Sequence, residues 1–251
     1  MDEVYALIDK DRAAAAEAAR MKFRGDVESA ITAVTEISTV AGARIASNSQ
    51  VASAKILIDA EVSATRLLAE AEVRAAQCVS ESLKKPKEFV ESMLLEISRA
   101  TSEHLTAAAS DSVVAIRRDA QLAIEDLRKA GAAAILEMQG LASRVEAQLV
   151  ADAKSAEERL RKFRERPHTA EEAETEADHA CKLVAEAASE GAASLRETVN
   201  RSFAAINKIT DDACAAIQNA ALAAEERLAQ AQARALVRLD EVITLNRKAA
   251  T

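Results

Sequence analysis

Apolar residues recur every eleven positions along almost the whole chain. In the first third, Val34, Ile45, Ile56, Leu67 and Cys78 stand eleven apart, and similar series run through the middle and last thirds. Eleven residues fill three helical turns at about 3.67 residues per turn, so a seam with this period winds right-handed. The repeat therefore predicts an all-α protein, with long helices in right-handed, hendecad coiled-coil packing.

The residues predicted to form the coiled-coil seams are large and apolar. They are Ile45, Ile56 and Leu67 in the first third, Ile116, Leu127, Met138, Leu149 and Leu160 in the middle third, and Leu195, Ile206, Ile217, Leu228 and Leu239 in the last third. We expect the stability of the fold to rest on these side chains, because a charge placed among them would be buried without a partner.

The composition agrees with a helical chain. Sixty of the 251 residues are alanine, the best helix former, while five are glycine and two are proline. Aromatic residues make up 2%, so a large globular core of the usual kind cannot be built. Thin helices packed closely along their length fit this composition better than a compact domain.

The two prolines, Pro86 and Pro167, divide the chain into near-equal thirds. The eleven-residue repeat is lost around both, and Thr169 with Glu172 forms a capping-box pair that marks a new helix start. The phase of the repeat also changes from one third to the next. This change favours three separate helices over one kinked rod.

The resulting prediction is a single elongated helical domain over residues 1–251. Its helices are expected at about 2–84, 87–165 and 169–248. Short connections join antiparallel neighbours, so we expect an antiparallel three-helix stack. The alternative is an extended rod that finds all its partners in other chains.

The first helix carries a second apolar stripe, nearly opposite the seam. Its valines are again eleven apart: Val40, Val51, Val62 and Val73. One apolar stripe needs one partner face, whereas two stripes require partners on both sides. The stripe, called the valine stripe below, is therefore a candidate contact between chains and predicts a homo-oligomer.

Charged residues between these two stripes also follow the eleven-residue interval. They include Glu61 and Glu72 on one line, and Lys55 and Arg66 on another. The local i,i+4 pairs, Lys55 with Asp59 and Arg66 with Glu70, predict a solvated face. The alternative is that the spacing fixes the register between chains, as flanking charges do in heptad coiled coils.

Charge and motif content exclude several functions. The net charge of −8 disfavours nucleic acid and gives no attraction to an anionic membrane surface. No run approaches the roughly 18 apolar residues of a membrane span, and no signal peptide is visible, so we expect a cytoplasmic protein. Phosphate-binding loops, nucleophile elbows and zinc motifs are also missing from the sequence. We predict no enzyme activity, no cofactor, no metal and no small-molecule substrate.

Few residues carry reactive side chains. Glu176 and His179 form one Glu-x-x-His step, which di-iron four-helix bundles use twice, but no second motif complements it here. Cys78, Cys181 and Cys214 lack metal or redox spacing, and we expect them to be small buried side chains.

The Ala/Ile/Leu/Val pattern over 44–79, 113–160 and 184–243 resembles that of alanine-rich hendecad coiled-coil proteins as a class. This resemblance implies a structural or scaffolding role through homo-oligomers. We therefore expect self-association into a rod, bundle or filament-like assembly.

Two other functions stay open. Eleven-residue amphipathic repeats also resemble those of exchangeable apolipoproteins and of the phasins that coat storage granules. Such helices carry bulky apolar residues bordered by basic ones, whereas this chain has two alanine-heavy stripes. The alternative function is thus an amphipathic coat on a lipid or storage-granule surface. A signalling or adaptor rod is a third possibility, which no particular motif favours.

Overall fold

The computed structural model describes residues 2–82, 87–162 and 170–250, and all of them are helical. Helix α1 spans Asp2–Ser82, α2 spans Lys87–Lys162 and α3 spans Ala170–Ala250. The predicted all-α fold with three long helices is confirmed. The predicted breaks at Pro86 and Pro167, and the capping residue Thr169, lie outside the described residues.

The chain divides into two compact units, each of which takes one segment from every helix. Unit 1 comprises Met1–Arg44 and Lys129–Ile209, and unit 2 comprises Ile45–Arg128 and Thr210–Thr251. Each unit is thus a three-helix bundle in its own right. The single domain predicted over the whole chain stays a prediction.

In unit 2, helices α1 and α2 run antiparallel. Lys55 Nζ lies 3.6 Å from Asp119 Oδ2, while Glu70, further along α1, contacts His104, which comes earlier in α2. The predicted local pair of Arg66 with Glu70 is confirmed, with 2.8 Å between Nε and Oε1. The pair of Lys55 with Asp59 is wrong, because the lysine lies beside Asp119 on α2 instead. The rival prediction of a rod without partners in its own chain is also excluded within this unit.

Helices α1 and α3 run parallel in unit 2, and two ion pairs mark their register. Arg227 Nη1 lies 3.5 Å from Glu61 Oε2, and Arg238 Nη1 lies 2.7 Å from Glu72 Oε1. Both partners advance by eleven residues between the two pairs. The acidic line of α1 therefore pairs with α3 of the same chain, and it is more than the solvated face with local pairs that the sequence predicted.

Large apolar residues at the eleven-residue interval fill the interior of both units. All thirteen predicted seam residues are buried, with 0–5% of their surface exposed. In unit 1, Phe23, Leu149 and Val184 belong to one core cluster, with one residue from each helix. In unit 2, Cys78, Leu94 and Leu239 form the corresponding group. Alanines that flank these columns, such as the fully buried Ala60, let the helix backbones approach closely.

Two glycines in unit 1 lie directly against side chains of a neighbouring helix. A Cβ atom on Gly42 would lie 2.8 Å from Ile209 Cδ1, and one on Gly191 would lie 2.8 Å from Val27 Cγ2. A methyl group at either position would therefore meet a side chain of the neighbouring helix at less than van der Waals distance. Gly140, by contrast, has nothing within 4 Å of the corresponding position.

The three cysteines are free thiols in the interior, as expected for small buried side chains. Burial raises the pKa of the Cys78 and Cys181 thiols above the ordinary value for a cysteine.

No helix among the described residues is long and apolar enough to cross a membrane.

Candidate interaction surface

The valine stripe lies on the surface. In unit 2, Val51 is 67% exposed, Val62 is 63% exposed and Val73 is 56% exposed. Ile58 lies beside them and is also largely exposed. In unit 1, the first member of the series, Val40, is 68% exposed. These valines recur about every 16.5 Å along α1 of unit 2, and the chain's own helices leave them uncovered.

The residues at i+4 distinguish the buried stripe of α1 from the exposed one. The buried residues Ile56 and Leu67 are followed four residues later by Ala60 and Ala71. Methyl groups at these positions cost little space, so a neighbouring helix packs against them at short distance. In contrast, a cation stands at i+4 from Val40, Val51 and Val62. These cations are Arg44, Lys55 and Arg66.

Carboxylates already neutralise two of these cations in unit 2. Arg66 Nε donates a hydrogen bond to Glu70 Oε1 at 2.8 Å, and Lys55 lies beside Asp119. His104 Nε2 lies 3.3 Å from the other oxygen of Glu70. The hydrogen bond from Arg66 is the main reason that the pKa of Glu70 is lowered, and His104 adds to the shift. The border of the stripe is therefore charged on both signs, and it is not a purely basic edge.

Further ion pairs fix the register between α2 and α3. In unit 1, Arg196 Nε and Nη2 donate to the two oxygens of Glu146 at 2.7 and 2.8 Å. In unit 2, Arg117 binds Glu225 in the same forked geometry at 2.8 and 2.7 Å. These hydrogen bonds lower the pKa of both glutamates. The pairs therefore help to hold the fold above the ordinary glutamate pKa, and they lose that effect as the pH falls through the lowered values.

The side chain of Glu176, from the Glu-x-x-His step, lies outside the described part of the structure. Among residues 2–82, 87–162 and 170–250, no group of three or more His, Cys, Asp or Glu side chains could hold a metal ion. His179 is exposed on α3. A groove of about 450 Å³ between α1 and α2 of unit 2 is lined by Arg66, Glu70, His104 and three aspartates, and its buried lining residues are Ile56, Leu67 and Ile116.

Comparisons with known proteins place the fold. A computationally designed three-helix bundle matches the structure with a TM-score of 0.72 and 12% sequence identity, over 99% of this chain and 100% of that chain. At this identity the similarity shows a shared fold and carries no information on function. No protein-family model matches the sequence, and no curated protein matches it.

Proposed function

We propose that this protein is a structural or scaffolding element that self-associates through the valine stripe of α1. The observation that carries the proposal is the exposure of Val51, Val62 and Val73, which stand at the same eleven-residue spacing as the buried seam. Each exposed valine is ordinary by itself, but a line of them with a fixed period is typical of an interface. The role requires neither catalysis nor a cofactor.

The proposed partner is a second copy of the chain. A helix stays in contact with the stripe along its length when its own apolar residues share the stripe's period, because a different period drifts off the line. Helix α1 itself has that period. We propose right-handed, hendecad coiled-coil packing both within the bundles and between chains, leading to a rod, bundle or filament-like assembly.

The charges beside the valine stripe also support a protein partner over a lipid surface. A lipid-coating helix carries uncompensated basic residues along its apolar face, whereas Lys55 and Arg66 beside the stripe are paired with carboxylates.

Three free, buried cysteines suit the reducing cytoplasm, which we propose as the location.

The double substitution Val51→Lys with Val62→Lys tests this proposal. It places two like charges in each copy of the interface and leaves Ile56 and Leu67 untouched. We expect the mass measured by sedimentation equilibrium to fall below that of the wild type, while circular dichroism shows unchanged helix content.

The matched control is Ala46→Lys with Gln50→Lys, which adds the same charge to exposed positions of α1. Gln50 stands eleven residues before Glu61, on the side that faces α3. The control is expected to keep the wild-type mass. A valine double variant that also keeps its mass would overturn the proposal. Flotation of the wild type with neutral phospholipid vesicles, lost in the valine variant, would favour the lipid-coating function instead.

A further inference from the structure

Unit 1 contains a groove of about 620 Å³ between α1 and α2, called the unit-1 groove below. Its apolar lining consists of Ile37, Val40, Ala41, Ala130, Ala133 and Ala134. The alanines make the floor shallow, so another helix could approach the backbones closely. Val40 and Ala133 are exposed within the groove, and four charged side chains complete its lining.

The four charged residues are sorted by sign along the groove. Helices α1 and α2 run antiparallel along the groove, so residue numbers rise along α1 as they fall along α2. Lys22 Nζ of α1 lies 2.7 Å from Asp152 Oδ2 of α2, which sets the level at which the two helices meet. Glu36 lies 14 residues after Lys22 (36 − 22), and Glu137 lies 15 residues before Asp152 (152 − 137), so these two acids stand at the same level.

The opposite end of the groove is basic. Arg44 and Lys129 each stand eight residues from the acid on their own helix, which corresponds to about 12 Å along the axis. Val40 and Ala133 are midway between the charged ends. The unit-1 groove therefore has an acidic end, a basic end and an apolar middle.

We propose that the unit-1 groove docks face to face onto the same groove of a second copy, about a two-fold axis that lies in the interface, at right angles to the groove, at the level of Val40 and Ala133. Such an axis reverses the direction of the groove, so the acidic end of each copy meets the basic end of the other. An interface between identical patches is the usual geometry of a two-fold dimer. The proposal rests on the proposed function in that it takes the partner to be a second copy, and it adds a second contact and its orientation.

Charge selects this orientation over its rival. If the two grooves met with the same ends together, two pairs of carboxylates would face each other, as would two pairs of cations. Like charges in an interface are strongly unfavourable, while complementary ones set the register and partner choice. The exposed side chain of Val40 would be covered by the apolar middle of the other copy.

Two charge-reversal variants test the proposal. Glu36→Lys with Glu137→Lys makes the groove entirely basic, and Arg44→Glu with Lys129→Glu makes it entirely acidic. Each variant alone is expected to dimerise at least about 10-fold more weakly than the wild type, because like charges then meet in either orientation. An equimolar mixture is expected to regain wild-type affinity as a heterodimer, which native mass spectrometry detects when one variant carries a mass label.

The variant with all four reversals is the matched control, because it exchanges the two ends of the groove and keeps two acidic and two basic side chains. We expect it to dimerise like the wild type and to show that the substituted positions tolerate the new side chains. Circular dichroism checks that each variant is folded. If all variants retain the wild-type affinity, or if the mixture associates no more tightly than either variant alone, the groove proposal is wrong while the proposed function stands. A wild type that stays monomeric at every concentration would overturn both.

Discussion

The buried and exposed stripes of α1 in unit 2 have the same period and the same class of side chain. Ile56 is 3% exposed and Leu67 is 2% exposed, whereas Val51 and Val62, each five residues earlier in the chain, are exposed over about two thirds of their surface. An eleven-residue repeat therefore predicts an apolar line along a helix, but it does not predict whether the chain's own helices cover that line. The residues four positions later differ as well: alanine follows Ile56 and Leu67, whereas a lysine or an arginine follows Val51 and Val62.

The two stripes differ in when their side chains become buried: folding buries the first and leaves the second exposed. Removing an apolar side chain from the bundle interior loses its burial and leaves a cavity, so those residues determine whether the chain folds. The exposed valines gain burial only when a partner arrives. We therefore expect substitutions in the first stripe to change stability and substitutions in the second to change association.

The largest expected effect comes from a matched pair of aspartates on α1. Leu67→Asp buries an unpaired carboxylate, and we expect it to lower the free energy of unfolding by at least about 3 kcal/mol. Val62→Asp, at an exposed position, is expected to change it by no more than about 0.5 kcal/mol. Urea titrations followed by circular dichroism at low protein concentration measure both without a contribution from association. Similar losses in the two variants would show that both stripes belong to the core.

A smaller effect is expected from two glycines in unit 1. Gly140→Ala meets open space, so we expect the gain in helix propensity to stabilise the fold by up to about 1 kcal/mol. Gly191→Ala places a methyl group 2.8 Å from the stiff, buried side chain of Val27, and overpacking of this kind costs about 1–3 kcal/mol. We expect Gly191→Ala to melt at a lower temperature than the wild type. A rise in both melting temperatures would mean that α1 and α3 are less closely packed at this point.

Much of the fold could be predicted because helix formation depends on local sequence. The eleven-residue period and the prolines place the helix ends within three residues of those observed. The period also extends further than the predicted seam. Phe23 and the buried Arg12 continue the series of Ile45 and Ile56 towards the start of the chain, and a count by elevens could have found them.

The pairing of charges could not be predicted in the same way. Arg117 binds a glutamate 108 residues away, and Arg196 binds one 50 residues away. Such contacts depend on which helices are neighbours and on the level at which they meet, and neither follows from the spacing on one helix. The same limit applies to the unit-1 groove, whose sorted charges become visible once α1 and α2 are aligned.

The central claim is that the exposed stripe serves to join copies of this chain. The most direct test is the mass of the wild-type protein in solution, measured by sedimentation equilibrium over a wide range of concentration. We predict a mass that rises with concentration towards a multiple of the 26.7 kDa chain. A constant mass of 26.7 kDa up to the highest concentration, with helix content intact, would contradict the account.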